Sequence, residues 1–364
     1  MKKKRFILIG IFLVVIALFY VNHNKPIKIA ILNDFEKERS EYTTSTFLSA
    51  QIAQEEINEH GGINNRKIEL MIKDTDFNDL DSIFKSLKSE KVEVIISAAN
   101  SQQLIKLEPY LEKYKITCIA VNSTSVTFSN KKDYIWRVLP DDSIEIKALF
   151  DYLKRNNIGN NFAIIYDTNN LEYKDSVEGQ ILNLGGKILW KQALKGEAAK
   201  FSPNNIDLIK KCDLVLLLAY GKDSAFIIQN MKRKNIDKEC FGLSWAADYN
   251  LIYYGGKAVE GFTFFSPKDI SNRYYNYNNL IENLKKYDKN NSIISIVTYE
   301  ALYLISKAYE NKNKYNISFQ EGLMKEKNLK LHNNTLQFNY FGDCINGEFI
   351  FKVKEGKFIK LEDN

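Results

Sequence analysis

One pattern occurs twice along this chain: short apolar runs of strand length alternate with amphipathic stretches at helical spacing. In the first half, strand-like runs at 27–33, 67–73, 92–97 and 116–121 alternate with helical stretches near 43–59, 79–89 and 101–113. The pattern pauses around RVLPDDS and then restarts. NFAIIYD, a helix near 173–184, KILWKQA, a helix near 203–211, DLVLLLAY, a helix near 222–234 and CFGLSW follow in turn. Alternation of this kind builds an α/β fold with parallel sheets, and two windings imply two similar lobes. The remainder reads as VEGFTFFS, long helices near 271–286 and 292–310, and a short helix near 317–325. A hairpin-like pair, LQFNY and EFIFKVKEGKFIKL joined through FGDCING, ends the chain. The stretch EEINEHGGINNRK shows how one corner is made. Phe47, Ile52, Ala53 and Ile57 recur near a 3.6 period, Gly61 and Gly62 stop that helix, and KIELMIKDT resumes with strand alternation.

Length supports two domains, since 364 residues can bury a large core. The formal charge of +6 is concentrated at the N-terminus, where Lys2, Lys3, Lys4, Arg5 and Lys25 stand without an acid. Setting those five aside from 51 basic residues leaves a body within one charge of neutrality against 45 acids. A neutral body carries no electrostatic footprint for nucleic acid. The cationic cluster precedes FILIGIFLVVIALFYV, an uncharged run at residues 6–21, the shape of a signal peptide or signal anchor over residues 1–25. The end of the run and the residues beyond it, Phe19 to His23, offer no small-residue cleavage site and no cysteine for lipidation, which favours an uncleaved membrane anchor over a cleaved signal. In both cases the body is exported and the location is extracytoplasmic, at the cell surface or in the periplasm. Cys118, Cys212, Cys240 and Cys344 are far apart and form no C-x-x-C pair, so they are expected to be structural, free or partly paired.

Ligands of open α/β sheets bind beyond the carboxyl ends of the strands. In the first lobe those ends are Asn33 to Phe35, SAANS at 97–101 and AVNSTS at 120–125; in the second they are Tyr166 to Thr168, Ala219 and Tyr220, and Ser244 and Trp245. Short hydroxyl and amide side chains thus face aromatic ones. SAANSQQL and NSTS also lead towards helix or turn starts, where backbone N–H groups favour an anion. The combination suits a small polar molecule with an anionic group.

GGINNRKIEL followed by Asp74, then VEVIISAANS, ITCIAVNSTSVTF, YIWRVLPDDS, FAIIYD and VEGFTFFSP resemble, in order and spacing, the type I periplasmic binding proteins. The nearest branch is similar to the leucine/isoleucine/valine-binding subunits of branched-chain amino-acid ABC transporters, and the resemblance covers roughly residues 27 to 353. It implies two Rossmann-like lobes joined by three crossovers near 139–143, 266–269 and 330–333, with ligand trapped between them. Lobe one is then about 27–141 plus 268–331, and lobe two about 142–267 plus 332–364. By the same resemblance Tyr42 packs on the ligand side chain, while Ser97, Asn100, Ser101, Asn122, Ser123 and Thr124 belong to the loops that bind its carboxylate. Asp142 falls at an acidic position near the crossover and Tyr220 at an aromatic lining lobe two. Tyr166, Ser244 and Trp245 complete the expected ligand-binding set. The family's acid for the ligand ammonium is replaced by Ser244 or Trp245, which leaves Asp142 or Asp248 to take its place. Its usual tyrosine after FAIIYD is replaced by Leu171, with Tyr173 close by.

Other notable residues read more simply as structure. Trp136 and Trp190 suit core or edge positions, and Arg137 is expected to pair with a nearby acid. Asp74 and Asp76 suit turn caps, and no histidine or third acid joins them to form a metal site. His23, His60 and His332 fall on no strand end facing the proposed cleft, and G-x-S-x-G, H-E-x-x-H and phosphate-cradling glycine loops are missing from the sequence. The reading is therefore a non-enzymatic, cofactor-free solute-binding protein with a small-molecule ligand and an ABC permease as partners. The alternative is a sensory subunit on the same fold, reporting ligand occupancy to a separate protein.

Overall fold

The structure is a computed structural model that describes residues 25–34, 41–194, 203–270, 277–287, 292–331 and 334–361. The expected N-terminal signal or anchor lies outside the described residues.

The first winding comprises β1 (Ile27–Asn33), α1 (Glu41–Glu59), β2 (Ile68–Asp74), α2 (Leu80–Ser89), β3 (Val94–Ser97), α3 (Ser101–Tyr114), β4 (Thr117–Ala120) and β5 (Ile135–Pro140). The second comprises α4 (Asp142–Arg155), β6 (Asn161–Tyr166), α5 (Leu171–Asn183), β7 (Lys187–Ala193), α6 (Pro203–Lys211), β8 (Leu214–Leu218), α7 (Gly221–Arg233), β9 (Glu239–Gly242), α8 (Asn250–Gly255) and β10 (Thr263–Ser266). The chain then adds α9 (Asn278–Lys285), α10 (Ile293–Tyr315), α11 (Phe319–Met324) and β11 (Asn328–Leu331). It closes with β12 (Asn334–Gln337), β13 (Asp343–Cys344), β14 (Phe349–Lys354) and β15 (Lys357–Lys360).

Two sheets result. One has the order β13-β5-β4-β3-β1-β2 and is parallel throughout. The other has the order β15-β14-β10-β9-β8-β6-β7, parallel except where β14 and β15 add antiparallel strands at one edge. Period-two alternation divides each strand between two cores. Ile27 and Ile29 of β1 enter one core while Ala30 and Leu32 enter the other. Ala163 and Ile165 of β6 likewise part from Phe162 and Ile164. Central strands such as VIIS are buried at every position, because helices cover both faces.

Three sequence expectations are corrected. The pause at RVLPDDS is no pause: β5 runs through it and α4 follows at once, started by the Asp141 side chain accepting from Ser143 N. LQFNY does not pair with EFIFKV. Glu355 and Gly356, with φ of 53° and 64°, fold KVKEGKFI back on itself as β14 and β15, the handedness a two-residue hairpin requires. The third crossover also lies later than 330–333. β13 still pairs with β5 in the first sheet, so the chain changes lobe between Cys344 and Phe349, and β13 does not belong to the second. Buried Arg137 holds β13 there through Nη2 to Asp343 Oδ1 at 2.5 Å, and Arg137 Nη1 donates to Ser125 O at 2.8 Å. The expected acid partner of Arg137 is thus Asp343. All four cysteines are free.

Candidate functional site

The carboxyl ends of the two sheets face one another. Between them lies a small cavity of about 20 Å³. Lobe one lines it with Asn122, Leu139 and the start of α10 at Ser292 to Ile294; lobe two lines it with Tyr220, Ser244, Trp245, Ala247 and Asp248. A wider groove between α1 and β2, lined by Phe47, Gln51 and Leu70, is open to solvent on the outer edge of lobe one and away from the strand ends.

The expected residues of lobe one are mostly occupied with building their own loops. Ser97 Oγ donates to Leu32 O at 2.7 Å, and Asn122 Nδ2 donates to Ala98 O at 3.1 Å. Ser123 Oγ donates to Ser101 Oγ at 3.0 Å, and Ser101 Oγ also accepts from Ser125 N. Asn100 caps α3 in a reciprocal capping box with Gln103. The N–H groups at the start of α3 are therefore not open to an anion: Gln103 N donates to Asn100, and Gln102 N donates to Asn170 Oδ1 of lobe two. Thr124 differs. Its hydroxyl is buried without a hydrogen-bond partner, while its carbonyl accepts from Asp142 N at 2.9 Å. The side chain of Tyr42 lies outside the described residues.

In lobe two, three aromatic rings stack. Trp245 lies flat against Tyr220 and against Tyr173, with ring centroids 4.6 Å apart in each pair. Tyr166 is not part of this group; it is half-buried at the end of β6 under the Lys174 ammonium, 5.4 Å from its ring centroid. Asp248 accepts from Gly221 N and Asn250 N, an acid committed to backbone groups at two helix starts.

Sequence reasoning named Asp142 but missed two other acids, Glu145 and Glu348. Asp142 and Glu145 stand one turn apart on α4, both buried, and Glu145 accepts from Ser244 N at 2.5 Å. Glu348, on the third crossover, joins them; the residue is half-buried but its Oε2 is shielded from solvent. Burial pushes the Asp142 carboxyl up to about 7, against the opposing pull of the Ser176 and Thr124 hydroxyls, although neither oxygen of Asp142 makes a hydrogen bond of ordinary geometry. Burial and then the Asp142 charge raise Glu145, while burial and then the Glu145 charge raise Glu348. The Tyr173 hydroxyl, also unpartnered, is raised by burial and by these same three carboxyl groups. An i, i+3 acid pair at the start of α4 was visible in DSIE; its convergence with Glu348, some 200 residues on, was not.

The lobes touch across α3 and α5. Asn100 Nδ2 donates to Asn169 O at 3.3 Å, Leu171 N to Gln102 Oε1 at 3.1 Å, and Val126 N to Ser176 Oγ at 3.2 Å. Glu172 accepts from Ser125 Oγ at 2.9 Å and Thr127 Oγ1 at 2.5 Å. At the second crossover, Lys268 pairs with Glu300 of α10 at 2.7 Å, both buried.

Two doubly wound lobes, three crossovers and a cavity at the facing strand ends define a bilobal binding protein. The chain belongs to the periplasmic binding protein family, whose model matches residues 26–313. The structure is similar to that of a branched-chain amino acid transporter substrate-binding protein from Streptococcus pneumoniae in complex with isoleucine, with a TM-score of 0.77 at 18% identity, covering 92% of this chain and 100% of that one. A leucine-binding protein from Thermotoga maritima gives a TM-score of 0.74 at 18% identity, covering 92% and 98%. A fatty acid ABC transporter substrate-binding protein from Thermomonospora curvata gives 0.75 at 20% identity, covering 93% and 92%. The resemblance drawn from the sequence blocks is thereby borne out. No curated protein sequence matches the chain.

Proposed function

We propose that this protein is the solute-capturing subunit of an ABC uptake system, exported and held at the membrane by residues 6–21. It binds a small polar solute, an amino acid or related compound, without turnover. The observation that carries this reading is the cavity itself, where the start of α10 in lobe one meets the Tyr220 and Trp245 stack of lobe two. A helix start favours an anionic group, aromatic faces suit an apolar body, and a cavity between lobes removes both from water. Solute docks on one lobe, and rotation about the crossovers closes the other over it, so that the closed form is the one a permease recognises.

Thermal melting of the full chain in detergent, against amino acids, small carboxylates, amides and short peptides, tests the proposal. A solute at ~100 times its dissociation constant adds about 2.7 kcal/mol of stability. Thr124→Val and Tyr220→Ala should each weaken the binding of any hit while melting cooperatively. A hit whose affinity neither variant changes would remove the cleft assignment, and a cooperative melt that no solute shifts would remove solute capture.

A further inference from the structure

A sheet edge is an open row of hydrogen-bonding groups, and three of the four edges of the two large sheets carry the usual protections. β13 has only two residues, β15 is four residues long with Lys357 and Lys360 at its ends, and β7 carries Lys187 and Lys191 with a register shift against β6. β2 differs. It is seven residues long and pairs with β1 without a shift, and among the described residues no strand pairs with its other side. Ile27 N donates to Lys67 O and Thr75 N to Asn33 O, so the odd-numbered residues of β2 turn their backbone groups towards β1 and the even-numbered ones turn outward. At Ile68 the outward groups are satisfied by Asn58 and Gln54, and the open stretch runs from Leu70 to Ile72. On one face of that stretch Leu70 and Ile72, the latter 44% exposed, border the groove of about 610 Å³ beside Phe47 and Gln51 of α1. Strand alternation puts Glu69, Met71 and Lys73 on the other face.

We propose that two copies of this protein pair through β2, antiparallel about a two-fold axis at Met71. In that register Leu70 lies opposite Ile72 of the partner subunit, their outward N–H and C=O groups meet, and the partner's Leu70 and Ile72 enter the groove beside α1. Glu69 lies opposite Lys73 of the partner subunit, and symmetry forms the reverse pair as well. The strand is thus its own charge complement. Sliding the partner by two residues spoils the match: Lys73 then meets Lys67 in one direction, and Asp74 meets Leu70 in the other. Lys73 reaches the Ser86 hydroxyl at 3.3 Å and Glu90 at 3.8 Å, so it already stands on the face where the partner's Glu69 arrives. The pairing uses lobe one alone, away from the strand ends, and leaves lobe two free to rotate.

Disulfide trapping of the full chain in detergent tests this. Met71 lies opposite its own copy in a non-hydrogen-bonded pair, whose Cα atoms stand about 4.5 Å apart, within disulfide reach. Two copies of Lys67 would stand roughly 27 Å apart. Met71→Cys should therefore form a covalent dimer on mild oxidation at least about tenfold faster than Lys67→Cys, with the wild type, whose four cysteines are free, as the baseline. Adding Ile72→Pro should abolish the cross-link and leave the melt cooperative, because the lost N–H faces outward and takes no part in the ladder with β1. Adding Glu69→Lys should instead slow cross-linking by about tenfold, and Lys73→Glu on top of it should restore the rate. A Met71→Cys protein that stays monomeric, that cross-links no faster than Lys67→Cys, or whose slowing by Glu69→Lys is not recovered by Lys73→Glu overturns the two-fold pairing. Cross-linking that survives Ile72→Pro in a cooperatively melting chain overturns it too.

Discussion

Asp142 shows how much one side chain can couple to its setting. Its carboxyl rises from an ordinary 3.8 to about 7 because burial disfavours the charged form. The folded protein therefore holds a proton that the unfolded chain gives up, so over that interval stability falls as pH rises. Asp142→Asn should flatten this part of the pH profile and melt no lower than the wild type near its upper end. Urea unfolding of both proteins across that range checks it; parallel profiles would mean that Asp142 is ionised in the fold. The residue was singled out in the sequence from its place near a crossover. Its two acidic companions were not, because nothing local in DSIE or NGEFIF shows that they meet. Arg137 was read in the sequence as the structural partner of an acid, and Asp343 is that acid, found 206 residues away.

At the scale of elements, periodicity carried most of the information. The alternating runs fall on β1 to β4 and β6 to β10, since a strand buried on both faces needs an apolar run and a helix on a sheet needs a 3.6-residue stripe. The Gly61-Gly62 stop after α1 was equally plain. Gly62 adopts φ of +72°, and a Cβ there would lie 2.2 Å from the Arg66 carbonyl oxygen, so the corner admits no side chain. Gly62→Ala should cost at least about 1 kcal/mol, read as a lower urea midpoint with an unchanged slope. A midpoint equal to wild type would show that the corner relaxes. The C-terminal strands were harder to read. LQFNY and EFIFKV have suitable patterns for each other, but the Glu355-Gly356 turn is shorter than FGDCING, and the nearer partner won.

For the molecule as a whole, a short set of hydrogen bonds joins the two lobes beside the crossovers among the described residues. Glu172 of α5 accepts from Ser125 and Thr127 across the lobe boundary, while most other bonds there are 3.1 Å or longer. Glu172→Ala should shift the population towards the open form, enlarging the radius of gyration in solution scattering and weakening solute binding by about tenfold, the lower value of a hydrogen bond to a charged group. An unchanged radius together with unchanged affinity would place the closing energy in the crossovers instead. Sequence by itself determined the α/β class and the two lobes, because these follow from local periodicity and the short reach of each β-α-β unit. Only the tertiary structure decided which strand ends face a common cavity, where the third crossover runs, and that Asp142, Glu145 and Glu348 converge. Those features depend on contacts between residues far apart in the chain, which no local pattern encodes.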